Sequence, residues 1–141
     1  VDNTYLVPEN SPIHTLADAD RSGVRIGTGL QSTTGLFLSR TIKHAQLVNG
    51  NATELLSTGK ADAYAASRNL LLTIQDKFSG YRLLEEGFDP VRHAIALPRG
   101  RQLALAYVNA FVEEIKASGV VSTEISRHSV RGIKVAPAGT R

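Results

Sequence analysis

The chain has 141 residues, a size typical of one domain, with 42% hydrophobic and 21% charged residues as in ordinary globular proteins. Its formal net charge is +3 and it contains no cysteine, which excludes disulfides, thiolate metal ligands and cysteine nucleophiles. The basic residues are spread along the chain with few aromatic residues near them, a pattern that argues against nucleic-acid binding. No apolar run approaches the roughly 18 residues that a membrane-spanning helix needs.

Apolar segments bounded by glycine, proline and asparagine predict several strands. They span residues 4–7, 24–28, 46–48, 62–66, 81–84 and 93–97. Helical spacing and capping residues predict helices between them, together with one short helical turn. The turn lies within 13–22, and the helices span about 32–45, 51–59, 69–77, 101–118 and 121–127. Strands that alternate with helices indicate an α/β domain with a mostly parallel sheet flanked by helices.

The predicted helix 101–118 carries one wide apolar face. The residues that recur there at helical spacing are Ala104, Tyr107, Val108, Phe111, Val112 and Ile115. Such a face requires burial against a partner surface. Gly119 ends this helix, and the tail 136–141 is predicted to be loose.

Four polar residues open the helix that follows the predicted strand 24–28. They are Gln31, Ser32, Thr33 and Thr34. A helix N-terminus has unpaired backbone N–H groups and a partial positive charge, so it suits an anion such as a carboxylate, and hydroxyl groups add adjustable donors and acceptors. The same residues also suit a plain N-cap, which would use only one of the hydroxyls and is the commoner role.

A second polar group, Ser67 and Arg68, follows the predicted strand 62–66. In a parallel sheet this group lies at the same edge as residues 31–34, where α/β sheets bind ligands. Arg68 could pair with a carboxylate or phosphate through two parallel hydrogen bonds. The alternative is a solvated arginine beside a helix cap.

Nothing in the sequence predicts a metal, a cofactor or a catalytic residue. The four histidines, His14, His44, His93 and His128, form no pair at metal-ligand spacing, and the glycines near residue 28 lack the third glycine of a dinucleotide-binding fingerprint. Asp62 is predicted to have a hydrogen-bonded structural role at its strand start, since buried charges need partners. No Gly-x-Ser-x-Gly elbow supports a serine triad.

Several segments, in this order, resemble bacterial extracellular solute-binding proteins of family 3, the amino-acid ABC-transporter type. They are TYLVPENSPI (4–13), LADADRSGVRI (16–26), STGKADAYA (57–65), HAIALPRG (93–100) and YVNAFVEEIKASG (107–119). Each motif alone is weak, and their order and spacing carry the resemblance. It covers residues 4–137 and corresponds to the second lobe of such proteins plus the C-terminal part of the first.

The resemblance implies a periplasmic-binding-protein-like (type II) fold. It assigns residues 1–12 to a hinge strand, 13–92 to lobe two, and 93–141 to a return hinge strand and C-terminal helices that belong to lobe one. It implies a periplasmic protein without enzyme activity that captures a small amino-acid-like or carboxylate solute and delivers it to a membrane permease. Lobe closure on the solute is the hinge motion of this class.

The resemblance also assigns the ligand-binding residues, with two departures. It places the carboxylate grip at Gln31, Ser32, Thr33 and Thr34, with Ser67 and Arg68 beside it. Ser67 stands where the family has an aspartate for the ligand's ammonium, and Gln31 stands where the family loop tends to have glycine. A ligand that lacks an ammonium group, or that carries extra negative charge, fits Arg68 better.

The family's lobe one supplies an arginine and an aromatic clamp that precede the region matched here. The chain begins at Val1 without methionine or a signal segment, so we expect a processed or truncated chain. We therefore expect weak solute binding or none, and self-association, with a homodimer formed through the hinge and C-terminal helix faces.

Two other functions remain open at this point. Some proteins that resemble this family are dehydratases of cyclohexadienyl acids such as prephenate, which need a general acid in the cleft. The candidate carboxylates here are Asp62, Glu85, Glu86 and Asp89, and none is clearly placed in the cleft. The third possibility is the ligand-binding domain of a sensor protein.

Overall fold

A computed structural model describes residues 1–139, which divide between Val91 and Arg92 into two compact units. The amino-terminal unit contains β1 (Asn3–Pro8), α1 (Leu16–Ala19), β2 (Arg25–Thr28), α2 (Thr33–Thr41), β3 (Gln46–Asn49), α3 (Ala52–Ser57), β4 (Ala63–Ser67), α4 (Arg68–Lys77) and β5 (Tyr81–Leu83). The second unit contains α5 (Gln102–Ala117) and α6 (Val120–Arg127). Among the described residues, no helix combines the length and apolar character needed to cross a membrane.

The strands of the amino-terminal unit form one five-stranded sheet in the order β3-β2-β4-β1-β5. Strand β2 pairs in parallel with β3 and β4, whereas β1 pairs antiparallel with both β4 and β5. Four strands therefore point one way and β1 points the other. The predicted α/β class, with a mostly parallel sheet flanked by helices, is confirmed.

Both faces of the central strands are buried, because side chains alternate between the faces of a strand. In β1, Tyr5 and Val7 join the apolar cluster that contains Leu38 of α2. Leu6, between them, joins the cluster on the opposite face, where Leu71 of α4 is fully buried. This double burial explains why residues 5–7 form a continuous apolar run.

A close approach between β2 and α3 requires glycine at position 27. A Cβ atom there would lie 2.7 Å from Cδ2 of Tyr64 and 2.9 Å from Cδ1 of Leu55. Those distances are shorter than van der Waals contact, so any side chain would push the helix away from the strand.

Helix α2 ends at Thr41, earlier than the predicted Ala45. The carboxylate of Asp20 accepts the backbone N–H groups of Lys43, His44 and Ala45, which follow the C-cap residue Ile42. These bonds hold the bend that leads into β3. Burial alone would raise the pKa of Asp20, but the three amides outweigh it and the pKa lies below its usual value.

Asp62 has the structural role predicted for it. Its carboxylate accepts hydrogen bonds from Nε and Nη2 of Arg25, at 3.1 and 2.7 Å, and from the Arg25 backbone N–H at 2.8 Å. The hydrogen bonds from Arg25 lower the pKa of Asp62. This pair ties the starts of β2 and β4 together, at the edge of the sheet opposite to the candidate site.

The strand predicted for residues 93–97 is wrong. These residues form neither strand nor helix, and residues 93–96 are exposed. An apolar run forms a strand only when a neighbouring strand supplies the backbone hydrogen bonds, and none within residues 1–139 pairs with this segment.

The second unit confirms both of its predicted helices. Gly119, with φ of 78°, ends α5 and turns the chain into α6. Neither helix contains a buried residue, and Leu103 and Tyr107 of α5 are 90% and 74% exposed. Residues 136–139 form no helix or strand, and the last two residues of the predicted loose tail, Thr140 and Arg141, lie outside the described part.

Candidate functional site

The carboxyl ends of four parallel-directed strands meet at one edge of the sheet, together with the start of β1. The loop after β2 leads into α2, and β4 leads directly into α4. Because β2 and β4 are neighbours in the sheet, both helices begin at this edge, with α2 on the face that contains Leu38 and α4 on the opposite face. The two groups predicted from the sequence therefore lie at the ends of adjacent strands.

Ser32 forms the N-cap of α2. Its hydroxyl oxygen accepts the N–H of Gly35 at 3.0 Å and also lies 3.0 Å from the hydroxyl of Thr28. The Ser32 backbone is extended, with φ of −71° and ψ of 150°. The capping role is therefore present, and it occupies this hydroxyl.

Thr33 and Thr34, the first two residues of α2, differ in orientation. The Thr33 side chain is exposed, whereas Thr34 is buried and its hydroxyl donates to Oδ1 of Asn3 at 2.9 Å. Neither backbone N–H has an acceptor among residues 1–139, as expected for the first turn of a helix. These two N–H groups point out of the helix end and carry its partial positive charge.

Gln31 adopts a left-handed backbone conformation with φ of 55°. This region costs a residue with a Cβ atom about 1 kcal/mol, whereas glycine adopts it freely. The loop therefore has a geometry that suits glycine, although a glutamine occupies the position. The side chain of Gln31 is exposed at the edge of the sheet.

Ser67 is the last residue of β4 and the N-cap of α4, but its side chain makes no capping hydrogen bond. Its hydroxyl has no partner among the described residues. It is partly exposed next to the first turn of a ten-residue helix. Ser67 therefore has donor and acceptor capacity that the fold does not use.

The guanidinium of Arg68, in contrast, is occupied by the scaffold. It forms a salt bridge with Asp2, with Nη2 2.8 Å from Oδ2 and Nε 3.0 Å from Oδ1. It also donates to the backbone carbonyls of Leu84 and Glu85 at 3.0 Å each. The side chains of Arg68 and Asp2 are 20% and 34% exposed, so the pair is only partly screened by water.

The side-chain hydrogen bond from Arg68 lowers the pKa of Asp2, and burial opposes it more weakly. Asp2 is therefore ionised at neutral pH and neutralises the charge of Arg68. Arg68 connects the residue before β1 to the residues after β5. Its guanidinium binds the Asp2 carboxylate, which precedes β1, and the carbonyls of Leu84 and Glu85, which follow β5.

Asn3 is a site residue that the sequence pattern did not single out. It is 2% exposed, accepts the Thr34 hydroxyl through Oδ1 and donates through Nδ2 to the carbonyl of Asp89 at 3.0 Å. The one available signal was its residue type, because asparagine is depleted in strands and yet stands directly before a buried apolar run.

Of the four candidate catalytic carboxylates, Asp89 is connected to the start of α2 through Asn3, which bonds both to Thr34 and to the Asp89 carbonyl. One oxygen of Glu86 accepts the Leu16 N–H at 2.8 Å, and Asp62 lies at the opposite edge of the sheet. Glu85 is exposed and contributes its backbone carbonyl to Arg68. Within residues 1–139, no cluster of three or more histidine and carboxylate residues could hold a metal ion.

The left-handed backbone of Gln31 gives a direct stability test. We expect Gln31→Gly to raise the free energy of unfolding by about 0.5 kcal/mol, because relief of the strain exceeds the added flexibility of the unfolded chain. Gln46→Gly, at an exposed position in β3, is the matched control and should lower it by about 0.5–1 kcal/mol. Urea unfolding of both variants measures the difference, and destabilisation by Gln31→Gly would contradict the assigned conformation.

Comparison with known proteins finds similar solved structures but no similar sequence family. No protein-family model matches the chain, and no curated protein sequence matches it. A putative binding component of an ABC transporter from Wolinella succinogenes, complexed with lysine, is 18% identical with a TM-score of 0.75. The match covers 90% of this chain and 58% of that protein.

Two ancestral proteins also match. An ancestral arginine-binding protein bound to glutamine is 21% identical with a TM-score of 0.64, over 94% of this chain and 60% of that protein. An ancestral cyclohexadienyl dehydratase is 22% identical with a TM-score of 0.55, over 89% of this chain and 56% of that protein. The chain thus spans less than two thirds of each. At these identities the likeness establishes the fold, which is that of a periplasmic-binding-protein-like α/β lobe.

Proposed function

We propose that this chain forms one wall of a solute-binding cleft in the binding component of an amino-acid-type ABC transporter. The observation that carries the proposal is that α2 and α4 begin at the same edge of the sheet. Within residues 1–139, the N–H groups of Thr33 and Thr34 have no acceptor at one helix start, and the Ser67 hydroxyl has no partner at the other. This donor set suits a carboxylate. The likeness to amino-acid-binding proteins supports the same class of ligand.

Each predicted site residue has a distinct role in this proposal. The N–H groups of Thr33 and Thr34 and the hydroxyl of Ser67 would contact the carboxylate, and the side chain of Gln31 would contact the rest of the solute. Ser32 would hold the first turn in place through its cap, and Arg68 would position α4 through Asp2. Because Arg68 is neutralised, a solute with a single carboxylate fits better than one with extra negative charge.

In this proposal residues 1–12 are a hinge strand, residues 13–92 are the ligand-binding lobe, and residues 93–141 are a return segment and the C-terminal helices of lobe one. The protein would lie in the periplasm and deliver its solute to a membrane permease. One wall alone offers a part of the contacts that a closed cleft makes, so we expect affinity in the millimolar range.

The test is titration of the chain with matched pairs of solutes that differ only in the carboxylate. L-glutamine and L-lysine are compared with 4-aminobutanamide and cadaverine, in which a hydrogen replaces the carboxylate, and succinate serves as the dicarboxylate. We expect the carboxylates to bind and the decarboxylated partners to bind at least about tenfold more weakly. Equal binding within each pair, or none by any solute, would contradict the proposal.

A dehydratase is the second candidate, since one structural neighbour is an ancestral cyclohexadienyl dehydratase. It would require a general acid beside the bound carboxylate. Asp2 is held in the ion pair with Arg68, and Asp89 is connected to the start of α2 only through its backbone carbonyl and Asn3. The donor groups at the two helix starts lead us to favour solute binding, and conversion of prephenate by the purified chain would overturn that choice.

We also propose that the apolar face of α5 forms a homodimer contact. Tyr107 and Phe111, one turn apart, are 74% and 45% exposed. An apolar stripe of this kind tends to be covered by another chain. We expect a concentration-dependent dimer in sedimentation velocity, weakened at least about tenfold by Tyr107→Lys with Phe111→Lys. Leu36→Lys, at an exposed position of α2, is the control, and a monomer at all concentrations would contradict the prediction.

A further inference from the structure

Residues 1–3 and 88–91 form a short two-stranded ribbon next to the candidate site. The N–H of Asn3 donates to the Phe88 carbonyl at 3.0 Å, and the N–H of Phe88 donates to the Asn3 carbonyl at 2.9 Å. Further along, the N–H of Val91 donates to the Val1 carbonyl at 2.7 Å. The paired residues are two positions apart in one segment, Val1 and Asn3, and three positions apart in the other, Phe88 and Val91. The extra residue forms a bulge at Asp89, whose φ is 43°.

One side chain joins this ribbon to α2. The amide of Asn3 accepts the Thr34 hydroxyl at 2.9 Å and donates to the carbonyl of Asp89 at 3.0 Å. It therefore bridges the first turn of α2 and the left-handed residue of the ribbon. Asn3 and Thr34 are 2% and 5% exposed, so water cannot easily replace either bond.

A second connection runs from Asp2, the residue before Asn3, to α4. The Arg68 N–H donates to the Asp2 carbonyl at 2.9 Å, and the side chains of the two residues form the salt bridge described above. The adjacent residues Asp2 and Asn3 thus contact the first turns of both helices whose N-termini form the candidate site.

We infer that Asn3 is a positioning residue that couples the N-terminus of α2 to the ribbon formed by residues 1–3 and 88–91. The amide group fixes both partners at once, because its acceptor and its donor serve different segments. A change in the first turn of α2 therefore alters the stability of the ribbon, and a solute held by Thr33 and Thr34 stabilises it. The second consequence rests on the proposed function, and the first does not.

The coupling without solute is tested by amide hydrogen exchange on Thr34→Val, which keeps the shape of the side chain and removes the donor. We expect the amides of Asn3 and Phe88 to exchange about five- to tenfold faster, since a buried acceptor loses its partner. Thr34→Ser should restore the wild-type rate. Thr73→Val, whose hydroxyl bonds only to Asn69 within α4, is the control and should leave the ribbon unchanged.

Two results would overturn the inference. One is an unchanged exchange rate for the ribbon amides in Thr34→Val. The other is an equal acceleration of all slow amides, including those of α4, which would indicate a general loss of stability and no specific coupling.

A second arm adds L-glutamine or L-lysine to the wild-type chain and to Thr34→Val. We expect slower exchange at the ribbon in the wild type, and a smaller effect in Thr34→Val although the first turn of α2 is still protected. Protection of α2 without protection of the ribbon in the wild type would overturn the coupling and leave the proposed function intact. Faster ribbon exchange in Thr34→Val with no solute effect anywhere would support the positioning role and count against the proposed function.

Discussion

Thr33→Pro is expected to lower the affinity for a carboxylate solute by about 10- to 100-fold while the fold remains intact. The substitution removes one backbone N–H that the proposal assigns to the ligand, and a hydrogen bond to a charged group contributes about 1.5–3 kcal/mol. Proline is well tolerated at the first position of a helix, where the N–H has no acceptor within the helix.

The local backbone allows this substitution. Proline requires an extended conformation of the preceding residue, and Ser32 already has φ of −71° and ψ of 150°. We expect the free energy of unfolding to change by less than about 0.5 kcal/mol. Calorimetric titration with L-glutamine and L-lysine measures the affinity, and urea unfolding measures the stability.

Thr33→Ala is the matched control, because it removes the exposed hydroxyl and keeps the N–H. It should bind the solute within about threefold of the wild type, since an exposed hydroxyl contributes little. If Thr33→Pro binds as well as Thr33→Ala, the N–H of Thr33 has no part in solute binding.

Leu71→Ala is expected to lower the free energy of unfolding of the amino-terminal unit by about 2–5 kcal/mol. Leu71 of α4 is fully buried in the cluster that contains Leu6 and Leu55. Its truncation removes apolar contact and leaves a cavity that the rigid sheet cannot fill.

The adjacent Leu70 provides the matched control, because it lies in the same helix and is 49% exposed. Leu70→Ala should cost about 1 kcal/mol or less, since much of its side chain is already in water. Urea unfolding of the two variants compares them directly. Similar losses would indicate that α4 is rotated about its axis relative to the arrangement described.

Local sequence patterns predicted most of the elements, because their signals are contained within a few residues. The cap at Ser32, the turn at Gly119 and the apolar run of β1 each follow from neighbouring residues. The strand predicted for residues 93–97 is absent, because a strand depends on a partner strand that a local apolar run does not reveal.

The role of Arg68 likewise depends on a partner that is distant in the chain. The sequence placed it correctly beside the N-terminus of α4, but its carboxylate partner, Asp2, is 66 residues away in the chain. Only the antiparallel pairing of β1 with β4 brings Asp2 to this position. The position of Asn3 between Thr34 and Asp89 could not be predicted from local patterns either, because both partners are distant from it in the chain.

The most direct test of the account is the nuclear magnetic resonance shift of individual backbone amides while L-glutamine or L-lysine is added to the chain. The account predicts saturable shifts for Thr33, Thr34 and the residues next to Ser67, with the amides of α5 unaffected. Shifts confined to other regions, or no saturable shift at the two helix N-termini for either solute, would contradict the central claim that this edge of the sheet binds a carboxylate.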